Sequence, residues 1–214
     1  MFRCFAVSTL IFTFYAIPLE AADENVDTSE SPENRVAAMW KIIDKVVSDL
    51  DSGNTSSVSL NKKKFLLHVA WHEGAFLKHR KQIGGGPGRS FFQFEAPLAK
   101  DAVLYAKQKN WLGRLASASG KTENELETAA NAITGGSWPD DNAIEESLLE
   151  SDLFGTYLAR IALKRIPQAI PTGNAAHAEY WADHWKRVFS SPEQRAELIE
   201  RFENEADDVD QHIP

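Results

Sequence analysis

A chain of 214 residues with 43% hydrophobic content can bury one sizeable core, and its length points to a single domain. The formal net charge of −8 disfavours nucleic acid as a partner. The one cysteine, Cys4, rules out a disulfide framework.

At the N-terminus, Arg3 precedes the uncharged apolar run Cys4 to Ile17, which Pro18 breaks before Ala21-Ala22. This is the pattern of a cleaved export signal over residues 1–22, and the apolar run is shorter than a bilayer-spanning helix requires. A secreted or periplasmic protein is expected, with no stable membrane insertion after cleavage. Cys4 leaves with the signal, which excludes thiol catalysis and cysteine-ligated zinc in the mature chain. Residues 23–33 are acidic and nearly devoid of large apolar groups, so a disordered linker is expected there.

Helical periodicity occupies residues 34–202, read as one predominantly helical, all-α domain. Val36, Met39, Trp40, Ile43, Val47 and Leu50 form the first stripe, ended by Gly53-Asn54. Ser59 or Asn61 caps a second helix over 62–77 that carries Glu73. Pro97 opens a third, running through Leu98, Tyr105, Leu112 and Leu115 to Gly120. Thr122-Glu-Asn-Glu125 has capping-box spacing before Leu126, Ala130 and Ile133. A longer pattern runs from Ile144 to Ile161 with a break near Ser151-Asp152, and Pro167 and Pro171 bracket a loop. Ala178, Trp181, Trp185, Val188 and Phe189 make an aromatic-rich helix, and Ser191 caps a last one with Leu198, Ile199 and Phe202. Residues 203–214 read as a disordered acidic tail.

Two segments carry candidate chemistry. In Val69-Ala-Trp-His-Glu73-Gly74, helical spacing places Glu73 on a face with Leu66, Val69, Ala70, Phe76 and Leu77. A carboxylate on an apolar face is suited to act as a general acid, because desolvation disfavours its charged form. A helix-boundary glutamate reaching water is the competing reading. The second segment is Gly84-Gly-Gly-Pro-Gly-Arg89-Ser90-Phe-Phe-Gln93-Phe-Glu95, where glycines permit a tight loop close to a ligand and Ser90 to Phe94 suits a short extended segment or hairpin beside the site. Between Lys62 and Phe94, seven basic residues (Lys62, Lys63, Lys64, Lys78, Arg80, Lys81, Arg89) face Glu73 alone, a local positive patch suited to an anionic substrate.

Two other chemistries are weighed on the same residues. His68 and His72 stand four apart, with His79 as a third ligand for zinc, but zinc-helix motifs place the glutamate between the histidines and Glu73 falls outside them. No metal and no cofactor is expected. A phosphate loop requires glycine where Ile83 stands and lysine where Arg89 stands, so a nucleotide cradle is not expected either.

Glu73 at a helix end, followed by a glycine-containing loop and a hydrophobic-Gln-hydrophobic triplet, is similar to the signature of lysozyme-like muramidases, particularly soluble lytic transglycosylases and goose-type lysozymes. The nearer resemblance is to lysozyme-like proteins of phages and prophages. It rests on the spacing of Glu73, His79, Arg80 and Gln82, on Gly85 to Glu95, and on Tyr157-Leu-Ala-Arg160 and Trp181-Ala-Asp-His-Trp185. The likeness covers roughly residues 60 to 190. Two departures stand out: Ser90 occupies a position usually held by glycine, and the Ala-Tyr-Asn motif has no clean copy at Tyr180-Trp181.

The resemblance implies a lysozyme-like domain that acts on peptidoglycan glycan strands as a monomer. It would cleave the bond between N-acetylmuramic acid and N-acetylglucosamine, with Glu73 as general acid and then base. Gln93, Arg89, Glu95, Tyr157, Tyr180 and Arg80 would contact substrate. A hydrolytic route needs a second carboxylate, for which Glu95 and Asp101 are nearest in sequence. The alternatives are a lysozyme-fold domain that binds wall polymer or serves a phage-related structure without cutting, and a zinc peptidase.

Overall fold

The stripe from Val36 to Leu50 is the buried face of helix α1, Pro32–Leu50, in the computed structural model, which describes residues 25–51 and 56–214. Ser31 caps it through its side chain and Pro32 occupies the first turn, where a missing N–H costs nothing. Against α1 lies α2, Ser56–Glu73, whose residues from Phe65 to Trp71 are all buried. Burial on every side makes this C-terminal half of α2 a core helix, while its N-terminal end, with Val58 and Leu60 46% exposed, is at the surface. Each fully buried Phe or Leu in it contributes about 1.5–3 kcal/mol.

Helix α2 starts earlier than the capping residues suggest and ends at Glu73, not at residue 77. Ala75, Phe76 and Leu77 have φ of 46°, 65° and 57°, so the chain turns through left-handed geometry. Leu77 is buried by this turn, whereas Phe76 is left 40% exposed and does not continue the Glu73 face.

The expected third helix is two helices, α3 (Ala96–Gln108) and α4 (Leu112–Ser119), broken where Asn110 takes φ 58°. Helix α5, Glu123–Ala132, begins with the full reciprocal capping box between Thr122 and Glu125. Ser151 both ends α6 (Ala143–Glu150) and caps α7 (Asp152–Lys164), the break expected at that point. Helix α7 is buried along nearly its whole length and packs on α1, α3, α4 and α6.

The aromatic-rich segment is α8, Asn174–Trp181, continued by the π-helical turn Ala182–Lys186. Helix α9, Pro192–Asp210, lies across α2 and α8. Among the described residues there is no strand. Two isolated antiparallel bridges, Lys81 to Arg89 and Arg89 to Phe94, make Ser90 to Phe94 a tight turn instead of an extended segment. No described helix is long and apolar enough to cross a membrane.

Two expected disordered segments are corrected where they are described. Residues 203–210 are helical, because Phe202, Ala206 and Val209 recur at helical spacing and are buried, and Asp210 is held by His68 and Lys64. Ahead of α1, Val26 is 2% exposed and its N–H donates to Asp152 at 2.7 Å, while the Asn25 side chain donates to Glu150 O. The expected export signal, residues 1–22, lies outside the described residues.

Candidate functional site

Glu73 is the last residue of α2 and is half-buried, with Oε1 accepting a hydrogen bond from Trp181 Nε1 at 2.9 Å. No Lys or Arg pairs with it among the described residues. The next residue, Gly74, is there because nothing larger fits. A Cβ would stand 2.6 Å from Ala70 O and 2.9 Å from the Phe91 ring, the first being backbone that cannot swing aside. That contact brings the glycine-rich loop against the end of α2.

Trp181 is positioned by its own helix. It stands four residues after His177, on one face of α8, and His177 is tied to α2: its Nδ1 lies 3.0 Å from His68 Nδ1. Proton positions follow from the partners. His177 Nε2 faces two acceptors, Asn61 Oδ1 at 3.1 Å and Pro171 O at 3.0 Å, so it must carry hydrogen. Asn61 cannot flip, because its Nδ2 donates to Ile170 O and Pro171 O. His68 Nε2 donates to Asp210 Oδ1 at 3.0 Å, and one more proton lies between the two Nδ1 atoms.

Burial pushes His177 down to about 4, and the neighbouring His68 adds to the effect. Burial pushes Asp210 the other way, but hydrogen bonds from His68, Lys64 and Asn174 outweigh it and hold the carboxyl well below its ordinary value. One turn along α2, His72 Nδ1 bonds Glu205 at 2.7 Å and its ring meets Trp181 edge-on at 4.6 Å. Phe202 stacks on Trp181 at 5.0 Å and also meets the His72 ring at 5.1 Å, so the three rings pack as one cluster. The indole facing Glu73 is therefore clamped between α2 and α9.

After Trp181 the helix widens to the π-helical turn, in which Arg187 N bonds Ala182 O. Such turns recur at functional sites. Here it presents Trp185 to Phe92 and Phe94 of the glycine loop, at 6.3 and 5.5 Å. The loop itself turns on Gly84 and Gly85, with φ of 82° and 83°. Gly88 approaches so close to Gln93 that a Cβ would lie 2.4 Å from its Oε1. Gln93 Nε2 donates to Ser90 O and His79 O, while its Oε1 is buried without a hydrogen-bond partner. Five of the eight described non-glycine residues with positive φ are Ala75, Phe76, Leu77, Ser90 and Gln93. Backbone strain of this kind, about 1–3 kcal/mol per residue, concentrates at ligand and active sites.

Of the residues expected to contact substrate, Gln93 remains at this junction and the others do not. Arg80 is bidentate to Asp152, bonds Val26 O and covers the Phe91 ring at 4.6 Å. Arg89 pairs with Glu145 and donates to Gly86 O and Gly88 O, which pins the glycine loop. The Tyr157 hydroxyl donates to Asp49, and that of Tyr180 to Gln168 O, away from Glu73. Glu95 is exposed at the start of α3 and caps nothing.

The expected positive patch is largely neutralised for the same reason. Lys63, Lys64, Arg80 and Arg89 each pair with a carboxylate from elsewhere in the fold, and Lys62 shares Asp51 with Arg160 and Lys164. Asp101 pairs with Arg165, and the residue beside Glu73 on α2, His72, is paired with Glu205, which no spacing in the sequence marks. His68, His72 and His79 do not converge, and no three metal-ligating side chains gather among the described residues. A groove of about 410 Å³ lies between Phe76 and α9, lined by Glu197, Glu200, Arg201, Asn204, Glu205 and Asp208. No protein-family model matches this chain, and neither the curated proteins nor the solved structures include a match to it.

Proposed function

We propose that this chain is an exported enzyme that cleaves peptidoglycan glycan strands at the N-acetylmuramic acid to N-acetylglucosamine bond, with Glu73 as the proton donor. The observation that carries the reading is the setting of Glu73: a half-buried carboxyl with one neutral N–H on one oxygen and no cation beside it. A carboxyl held this way is oriented yet free to exchange its proton with a substrate. The junction of α2, the strained loop and the π-helical turn supports the same reading. In it, Glu73 protonates the departing glycosidic oxygen and then takes the proton of the muramyl 6-hydroxyl, giving a 1,6-anhydro product. Gln93, its Nε2 tied to Ser90 O and His79 O, shapes the loop beside Glu73. A hydrolytic route needs a second carboxylate at the reacting carbon. Asp101 is paired with Arg165 and Glu205 is engaged by His72, which favours the single-acid route.

One observation favours a second reading, a domain that binds wall polymer without cutting it. The tyrosine at the position of the family's Ala-Tyr-Asn motif, Tyr180, bonds Gln168 O and leaves the acid to Trp181. Mass spectrometry of soluble products from purified sacculi separates the two. Anhydromuramyl products are expected; reducing-end muramic acid would replace the single-acid route by hydrolysis, and intact sacculi with bound protein would support the binder.

A further inference from the structure

About 16 Å along α2 from Glu73, at the rise of a regular helix, a second polar cluster has no part in the chemistry above. Asp51, at the C-terminus of α1, has 2% of its side chain exposed and is met by three cations from α2 and α7. Arg160 bonds both of its oxygens, at 2.6 and 2.9 Å, and Lys164 lies at 2.5 Å from Oδ1. Lys62 stands 3.6 Å from Oδ2, beyond hydrogen-bonding distance. Among the described residues, three positive charges stand against one negative, a surplus of two, on side chains only 6–19% exposed. Burial pulls the Lys62 ammonium below its ordinary value; attraction to Asp51 does not offset this, and Arg160 and Lys164 add repulsion.

These groups line a cavity of about 290 Å³ whose other walls include Val58, Leu163, Ile166 and Ile170. The volume is at the lower end of that of small-molecule sites, and the lining has their usual form, an apolar wall with a few convergent polar groups. An internal ion pair meant only to join helices would end near neutrality, as Arg80 and Asp152 do. Here three cations share one carboxylate, and Lys62, the farthest from it, lines the cavity.

We propose that this cavity is a binding site for a small organic anion, a carboxylate or phosphate head group on a short apolar body, with Lys62 as the principal ligand and Lys164 beside it. The head group neutralises the surplus charge and the body covers the Val58, Leu163 and Ile166 wall. The site is independent of the activity proposed for Glu73.

Isothermal titration of the full chain with butyl phosphate, butyrate, inorganic phosphate and 1-butanol tests it. One of the two organic anions is expected to bind at a single site more tightly than inorganic phosphate, and 1-butanol not to bind; the tighter of the two identifies the head group. Lys62→Met should weaken that binding about tenfold or more, the loss of one charge-assisted hydrogen bond, without lowering the thermal midpoint. Lys62→Arg should keep it, which guards against a folding defect in the methionine variant. Failure of both organic anions to bind wild type, equal binding by 1-butanol, or unchanged affinity in Lys62→Met would each overturn the assignment.

Discussion

Replacing Asp152 by alanine separates a structural Arg80 from a substrate-binding one. Asp152 has no side-chain exposure, and it accepts from Arg80 Nε, Arg80 Nη2 and Val26 N, each at 2.7 Å. Removing the carboxylate strands the Val26 N–H and leaves a guanidinium against the Phe91 ring without its bidentate partner. Breaking a buried pair on one side costs about 3–5 kcal/mol. The Arg80 side chain retains 22% exposure and regains some hydration, which places the loss near the lower end, about 3 kcal/mol. With a urea m-value of about 2 kcal/mol/M, the unfolding midpoint should fall by about 1.5 M. Urea titration followed by circular dichroism reads this directly. A midpoint within about 0.5 M of wild type would refute the reasoning and return Arg80 to the pool of residues free to meet a ligand.

The histidine pair predicts an acid-side loss of stability. His177 is depressed in the folded state, so the unfolded chain takes up the proton first, and stability present above pH 6.5 should fall as pH drops toward 4, by an amount on the order of 3 kcal/mol. Asp210, also depressed, extends the loss below its ordinary range. Urea midpoints between pH 7 and 4 check this; His177→Asn should flatten the slope, and a flat wild-type profile would contradict the proton assignment. Gly74→Ala should destabilise by about 1–3 kcal/mol, since overpacking against Ala70 O and Phe91 exceeds the gain of at most about 1 kcal/mol in helix propensity. A neutral or stabilised variant in thermal melts would mean that the loop does not press on α2.

Local signals in the sequence are those that the structure repeats most closely. The Thr122 to Glu125 capping box, the Ser151 break and the Ser191 cap depend on residues within four positions of each other. Where the sequence misleads, apolar periodicity runs past a change of geometry. Phe76 and Leu77 continue the α2 pattern on paper but follow it through left-handed turns, and Leu112 continues α3 across the positive φ of Asn110. The acidic tail conceals the Phe202, Ala206, Val209 spacing that buries it. Glu73 and Gln93 could be singled out because glycine and glutamine motifs are local. The pairings could not: Trp181, part of the resemblance, is 108 residues from the Glu73 it bonds, and the carboxylates that neutralise the basic run come from 56 to 146 residues away for Arg89, Arg80 and Lys64. Charge counted along a chain carries no information on such pairing.

The central claim is that Glu73 delivers a proton, and the rate at which Glu73→Gln releases soluble muropeptides from purified sacculi tests it most directly. Glutamine retains an Oε1 to accept from Trp181 Nε1, so the thermal midpoint and sacculus binding should hold. Release should fall by about 10²–10⁴-fold relative to wild type, the contribution of general acid–base catalysis. Release by Glu73→Gln at the wild-type rate, or no release by wild type at any pH from acidic to neutral, would contradict the claim.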